Sequence, residues 1–303
     1  RPLPAPRRAR RDRRLCGRWC TRNGWVTHVS SASLLLECTD IVVGFPIKRS
    51  KSVFYAVQKA SLMVGSGEVV GLVGESGSGK STLARVIVGL QPMNSGRVVF
   101  DGRPLGNRRS LADRSEIQMV FQDPYGSLDP RMSIRSTLSE MVRRHSPLRG
   151  REVRARCLEL LEMVQLPTSV LDCRPAGMSG GQRQRVAIAR ALSANPRLLV
   201  ADEAVAALDV SIQAGIVNLL ADLRRDVGLS ILFISHDLSI VRTLCDRVSV
   251  IYRGEIIEEQ PCKDLFQQPH HPYTQALLSA IPRIHGPRTA GLVGGRGLLP
   301  RSP

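Results

Sequence analysis

The nine residues Gly74-Glu75-Ser76-Gly77-Ser78-Gly79-Lys80-Ser81-Thr82 restrict what this 303-residue chain can fold into more than any other stretch. An apolar run from Glu68 to Val73 precedes them and reads as a buried strand, and Leu83 to Ile87 after them reads as a helix. The spacing G-x-x-x-x-G-K-S is that of a phosphate-binding loop. Glycines at 74, 77 and 79 permit positive φ and turn successive N–H groups inward as a nest for phosphate oxygens. A helix starting near Lys80 adds the positive end of its dipole. In such a loop Lys80 reaches the β- and γ-phosphates and the Ser81 hydroxyl ligates Mg²⁺. A Gly/Ser-rich turn can match the spacing by chance, but the flanking strand and helix favour a nucleotide site.

The formal charge of +17 suggests nucleic acid until it is located along the chain. Residues 1–30 carry nine Arg and one Asp, and residues 283–303 carry four Arg and no acid, so the two ends hold +8 and +4 and the body only +5. A nearly balanced body argues against a dedicated nucleic-acid groove, and no specific nucleic-acid partner is expected. Seven cysteines, odd in number and widely spread, read as reduced cytosolic thiols. Cys16, Cys20 and His28 supply too few ligands for a zinc site. No run of 18 apolar residues is present, and Leu34-Leu35-Leu36 is too short for the apolar core of a signal peptide.

Residues 1–33 read as a basic disordered extension and 283–303 as a disordered tail. From 34 to 64, alternating residues and turn signals predict an antiparallel β-layer in which Phe45 and Tyr55 are candidates to stack on adenine or simply to pack. Gly96 to Phe100 followed by Asp101-Gly102 reads as a strand entering a tight turn, and Glu116 to Phe121 as a buried strand with Gln122 at its end. Val153, Cys157, Leu160, Leu161 and Val164 follow helical spacing within an inserted helical subdomain at about 123–190. Ser179 with Gln182 three residues later forms a capping box behind Gly180 and Gly181, which opens a second helix N-terminus able to hold an anion.

Two further apolar strands end in functional residue types. Leu198 to Ala201 runs into Asp202-Glu203, where one acid can complete a Mg²⁺ shell and the other can polarise water. Ile231 to Ile234 runs into Ser235-His236, a position from which a histidine can reach a γ-phosphate. Asp209 lies in the segment between them.

This set, in this order over residues 34–282, resembles the ATPase subunit of an ATP-binding cassette (ABC) transporter. The resemblance implies an α/β fold, a P-loop NTPase core with an antiparallel β-subdomain and an inserted α-helical subdomain. It implies ATP and Mg²⁺ as ligands, with Gly74 to Thr82 binding phosphate and Ser81, Gln122 and Asp202 serving the metal. By the same resemblance Glu203 is the general base, His236 the switch histidine, Gln122 the Q-loop residue and Asp209 the D-loop acid. Ser179, Gly180, Gly181 and Gln182 are similar to the signature motif that contacts a nucleotide held by the opposite subunit. A chain with one set of motifs then needs a second ATPase chain.

The stretch Phe121 to Met132 and the later His271-Pro272-Tyr273 resemble the peptide/nickel importer subfamily, and Phe45-Pro46-Ile47-Lys48 with Pro130-Arg131-Met132 resembles the second, F-type ATPase of its heterodimer. In that alignment Phe45 is the adenine-stacking residue rather than Tyr55. The implied organisation is a nucleotide-binding domain at 34–260 and an oligopeptide-transporter-type segment at 261–282. The implied function is ATP-driven uptake of peptides or a related solute such as nickel or glutathione. It would work at the cytoplasmic face of the inner membrane, with two permease subunits and an extracytoplasmic binding protein. The rival is a soluble ABC ATPase acting on ribosomes or DNA. Met178 and Ala206 depart from the commonest family residues, Leu and Ser, and remove no phosphate or metal ligand.

Overall fold

The computed structural model describes residues 33–47, 52–206 and 208–280, with only the backbone of Pro124 and Tyr125. The expected basic extension, apart from Ser33, and the expected tail at 283–303 lie outside the described residues. The strands are β1 (Leu34–Pro46), β2 (Val53–Gly65), β3 (Val69–Val73), β4 (Ser95–Phe100), β5 (Arg103–Leu105), β6 (Ile117–Val120), β7 (Leu198–Asp202), β8 (Ser230–Ser235), β9 (Arg247–Tyr252) and β10 (Glu255–Pro261). The helices are α1 (Lys80–Ile87), α2 (Leu111–Glu116), α3 (Pro124–Ser127), α4 (Ile134–His145), α5 (Arg151–Met163), α6 (Gly180–Leu192), α7 (Val210–Val227), α8 (Leu238–Leu244), α9 (Cys262–Gln267) and α10 (Pro272–Ser279).

β3, β7 and β8 are apolar along nearly their whole length because both faces are covered. They sit inside a six-stranded sheet of order β10-β9-β3-β8-β7-β6, parallel except where the β9–β10 hairpin adds an antiparallel edge. The two-residue period divides each strand between two cores. Val70 and Leu72 of β3, Leu198 and Val200 of β7, and Leu232 and Ile234 of β8 pack under α1 and against the second sheet. Val69, Val73, Leu199, Ala201, Ile231 and Phe233 face the other way, toward α7, α8 and the helical layer.

The second sheet is the expected antiparallel layer, ordered β2-β1-β4-β5. Asp101 and Gly102 both take positive φ, 49° and 74°, in the two-residue turn that joins β4 to β5. The helical layer comprises α3 to α6, and the five α5-region residues of the expected apolar stripe are all buried there. Among the described residues no helix is long and apolar enough to cross a membrane.

Strand order determines where the site forms. β3, β6, β7 and β8 are parallel, so the residues that follow them all emerge at one edge of the sheet, the edge where α/β folds bind ligands. Val73 pairs with Ser235, Asp202 with Ile234, and Val120 with Ala201. The phosphate loop therefore leaves the sheet beside Ser235-His236, with Asp202-Glu203 one strand further on.

Candidate functional site: a nucleotide cradle at the strand ends

Gly79 is the N-cap of α1 with φ 108°, and a Cβ there would lie 2.4 Å from the Ala56 carbonyl oxygen of β2. Only glycine satisfies both the dihedral and the close approach. The first turn of α1 carries no acidic residue, and the N–H groups of Gly79 to Thr82 have no hydrogen-bond partner among the described residues. They form an anion nest. The Ser78 hydroxyl is also buried without a hydrogen-bond partner, a group placed to meet a ligand oxygen.

Lys80 is buried, and its ammonium donates to the carbonyls of Gly74 at 2.8 Å and Glu75 at 2.7 Å. Burial lowers its pKa below the ordinary 10.5, against the pull of Glu203, Asp202 and Glu75. Next to it, the Ser81 hydroxyl donates to Asp202 Oδ1 at 3.0 Å. Burial pushes the Asp202 carboxyl above its ordinary 3.8, while the Ser81 bond works the other way. A buried carboxylate and a hydroxyl beside a phosphate nest form the hard-oxygen set that suits Mg²⁺, which takes one or two protein ligands and completes its shell with phosphate and water.

Glu203 has φ 48°, a left-handed backbone rare for glutamate, with its N–H bonded to the Ile234 carbonyl at 3.0 Å and its own carbonyl accepting from Ala206 N–H at 3.1 Å. Its carboxylate is largely buried and lies 3.6 Å from Nδ1 of the half-exposed His236. Gln122 is exposed two residues beyond β6, beside a groove of about 300 Å³ whose lining includes Leu90, Phe121, Met141 and Arg190. Phe45 is exposed near the end of β1, opposite Phe54, while Tyr55 packs over Gly44.

The capping box at α6 forms as its spacing implies: Ser179 Oγ accepts from Gln182 N–H, and the Gln182 side chain accepts from Ser179 N–H. Gly181 has a packing reason as well, because a Cβ there would lie 2.6 Å from Ile212 of α7. No hydrogen bond or ion pair among the described residues joins Ser179 to Gln182, or Asp209 at the start of α7, to the phosphate loop. One contact to the loop has no precedent in the spacing of the motifs. The Glu75 N–H donates to the Tyr273 hydroxyl at 3.0 Å, across 198 positions of sequence.

The profile described as ABC transporter matches residues 57–206. That described as oligopeptide/dipeptide transporter, C-terminal region, matches residues 257–301. The oligopeptide transport ATP-binding protein OppF of Lactococcus lactis subsp. lactis is 42% identical over 266 residues, which cover 85% of this chain and 83% of that protein. This chain belongs to the ABC transporter family. A Brucella abortus ATP-binding protein, named provisionally for peptide import, is 46% identical over 260 residues, 84% of this chain and 78% of its own length. A solved structure of the cassette MJ0796, dimeric and bound to ADP and Pi, superposes with a TM-score of 0.67 at 29% identity, over 75% of this chain and 99% of that one. This ABC protein is thus an ATPase of the transport-coupled kind, and the parallel-sheet core with its antiparallel and helical layers is the cassette fold.

The Asp202 environment yields a test that needs no nucleotide. A carboxylate whose folded pKa is raised costs stability at pH values above that raised pKa, and the cost fades as pH falls through it toward 3.8. Asp202→Asn keeps an acceptor for Ser81 and removes the charge. It should raise the Tm of the nucleotide-free ABC ATPase at pH 7, with the gain shrinking in acid. A Tm at or below wild type would mean that burial of this carboxylate carries no penalty.

Proposed function

We propose that this chain is the ATP-hydrolysing subunit of a peptide importer, acting as one of two ATPase chains beneath two membrane permease subunits. The observation that carries the reading is the match of residues 257–301 to an oligopeptide/dipeptide transporter segment, in a chain whose cassette resembles that of a named oligopeptide transport protein. The protein would lie at the cytoplasmic face of the inner membrane, with an extracytoplasmic binding protein choosing the cargo.

Each residue takes its role from its position. The nest at residues 74–82 holds phosphates, and Phe45 supplies the ring for adenine. Ser81 and Asp202, with Gln122 at the next strand end, would hold Mg²⁺, which would supply charge neutralisation for the bound phosphates. Glu203 takes the proton of the attacking water, and His236, 3.6 Å away, steadies the charge that develops there.

Among the described residues the α6 N-terminus and Asp209 make no bond to the phosphate loop, which supports a head-to-tail pair in which Ser179 to Gln182 meet the nucleotide held by the opposite chain. ATP drives such a pair through its different affinities for the open and closed arrangements. The groove beside Gln122, with Leu90 60% exposed at its rim, suits an apolar segment of a permease subunit.

Affinity purification from gently solubilised membranes, followed by mass spectrometry, tests the reading. Two hydrophobic subunits and a second ATPase chain are expected. Ribosomal or DNA-bound proteins without a membrane partner would overturn it.

A further inference from the structure

The phosphate loop is gripped from outside the cassette motifs at two points. Gly254, in the turn between β9 and β10, donates its N–H to the Ser78 carbonyl at 2.9 Å. The Tyr273 hydroxyl accepts from Glu75 N–H at 3.0 Å. The two grips are coupled through aromatic packing, because the Tyr273 ring lies 4.3 Å from that of Tyr252, the last residue of β9, tilted by 37°.

Tyr273 is held firmly enough to act on the loop. The buried Glu258 carboxylate of β10 accepts from the N–H groups of His270 at 2.7 Å and His271 at 3.0 Å. His271 Nδ1 then accepts from Tyr273 N–H at 3.1 Å and caps α10, while Pro272 fills the first helical position, where no N–H is needed. The hydroxyl is therefore presented by a docked helix start rather than by a loose tail. Its bond falls on Glu75 and leaves the N–H groups of Gly79 to Thr82 without partners among the described residues and available for a ligand.

We propose that Tyr273 is a positioning residue for the phosphate loop, and that its bond to Glu75 links docking of the C-terminal segment to nucleotide binding. The inference rests on reading residues 74–82 as the ATP site. Loss of one hydrogen bond of this kind changes an equilibrium constant by about 3- to 10-fold, so the linkage is several-fold in affinity. By reciprocity, nucleotide must tighten the docking of α10 by the same factor with which docking tightens nucleotide.

Tyr273→Phe keeps the ring on Tyr252 and deletes the acceptor. In the full chain, ATP should bind about 3- to 10-fold more weakly than to wild type, while the nucleotide-free protein stays folded with a Tm lower by at most a few degrees. Hydrogen exchange supplies a readout independent of turnover. The Glu75 amide should exchange faster in the nucleotide-free variant, and the protection that ATP confers on residues 272–279 in wild type should shrink. Wild-type affinity together with wild-type exchange at Glu75 would overturn the proposal. Failure of the wild-type chain itself to bind ATP would overturn the site reading on which it rests, whereas the Glu75 exchange rate is read without nucleotide and separates the two failures.

Discussion

Glu203→Gln is expected to retain ATP binding and to lose turnover by about 10²- to 10⁴-fold, the range that a positioned general base supplies. Everything that holds the residue survives the change. The backbone bond to Ile234, the turn closed by Ala206 N–H and the left-handed φ of 48° depend on the main chain, and glutamine fills the same volume. What disappears is the carboxylate oxygen 3.6 Å from His236, in a largely buried position. A residue held in a sparsely populated conformation at a strand end is the kind of outlier that marks a functional site. Equilibrium ATP binding and phosphate release, measured on the same preparation, check both halves. Turnover within a few-fold of wild type would remove Glu203 from the role of base.

Much of this site is legible in the sequence because parallel strands do two jobs at once. Burial on both faces makes β3, β7 and β8 conspicuous as apolar runs, and their shared direction brings Gly74, Asp202 and His236 to one edge. The Ser179–Gln182 box is equally legible, since a cap is local chemistry confined to four residues. Contacts that depend on distant packing leave no such trace. Arg109, in the run Asn107-Arg108-Arg109-Ser110, has the look of a solvated basic loop. Instead it is buried, and its guanidinium donates to the carbonyls of Val86 at 2.8 Å and Ile87 at 3.1 Å at the end of α1. That arrangement fixes the far end of the helix that carries Lys80, opposite the end that adjoins the glycine-rich loop. Tyr273 stands out in the sequence as part of His271-Pro272-Tyr273, yet no spacing rule leads from it to Glu75. The contact exists only because the β9–β10 hairpin and α10 fold back over the loop.

Lys80→Ala should weaken ATP binding itself by about 10- to 100-fold, the weight of one or two charge-assisted hydrogen bonds. The nucleotide-free fold should tolerate the change. The ammonium is buried at a desolvation cost that lowers its pKa, and relief of that cost offsets the loss of its bonds to the carbonyls of buried Gly74 and exposed Glu75. The pH dependence carries the sign of the same effect. Because the free site holds Lys80 with a pKa below 10.5 and phosphate favours the charged form, wild-type affinity should fall as pH rises through that lowered value. Lys80→Ala, with no ammonium to lose, should bind weakly at neutral pH and show no further decline over the same alkaline window. Titration of nucleotide into both proteins across that range separates a lysine that contacts phosphate from one that only braces the loop. A bracing lysine would shift affinity equally at every pH, and unaltered ATP affinity in the alanine variant would count against the phosphate-loop reading altogether.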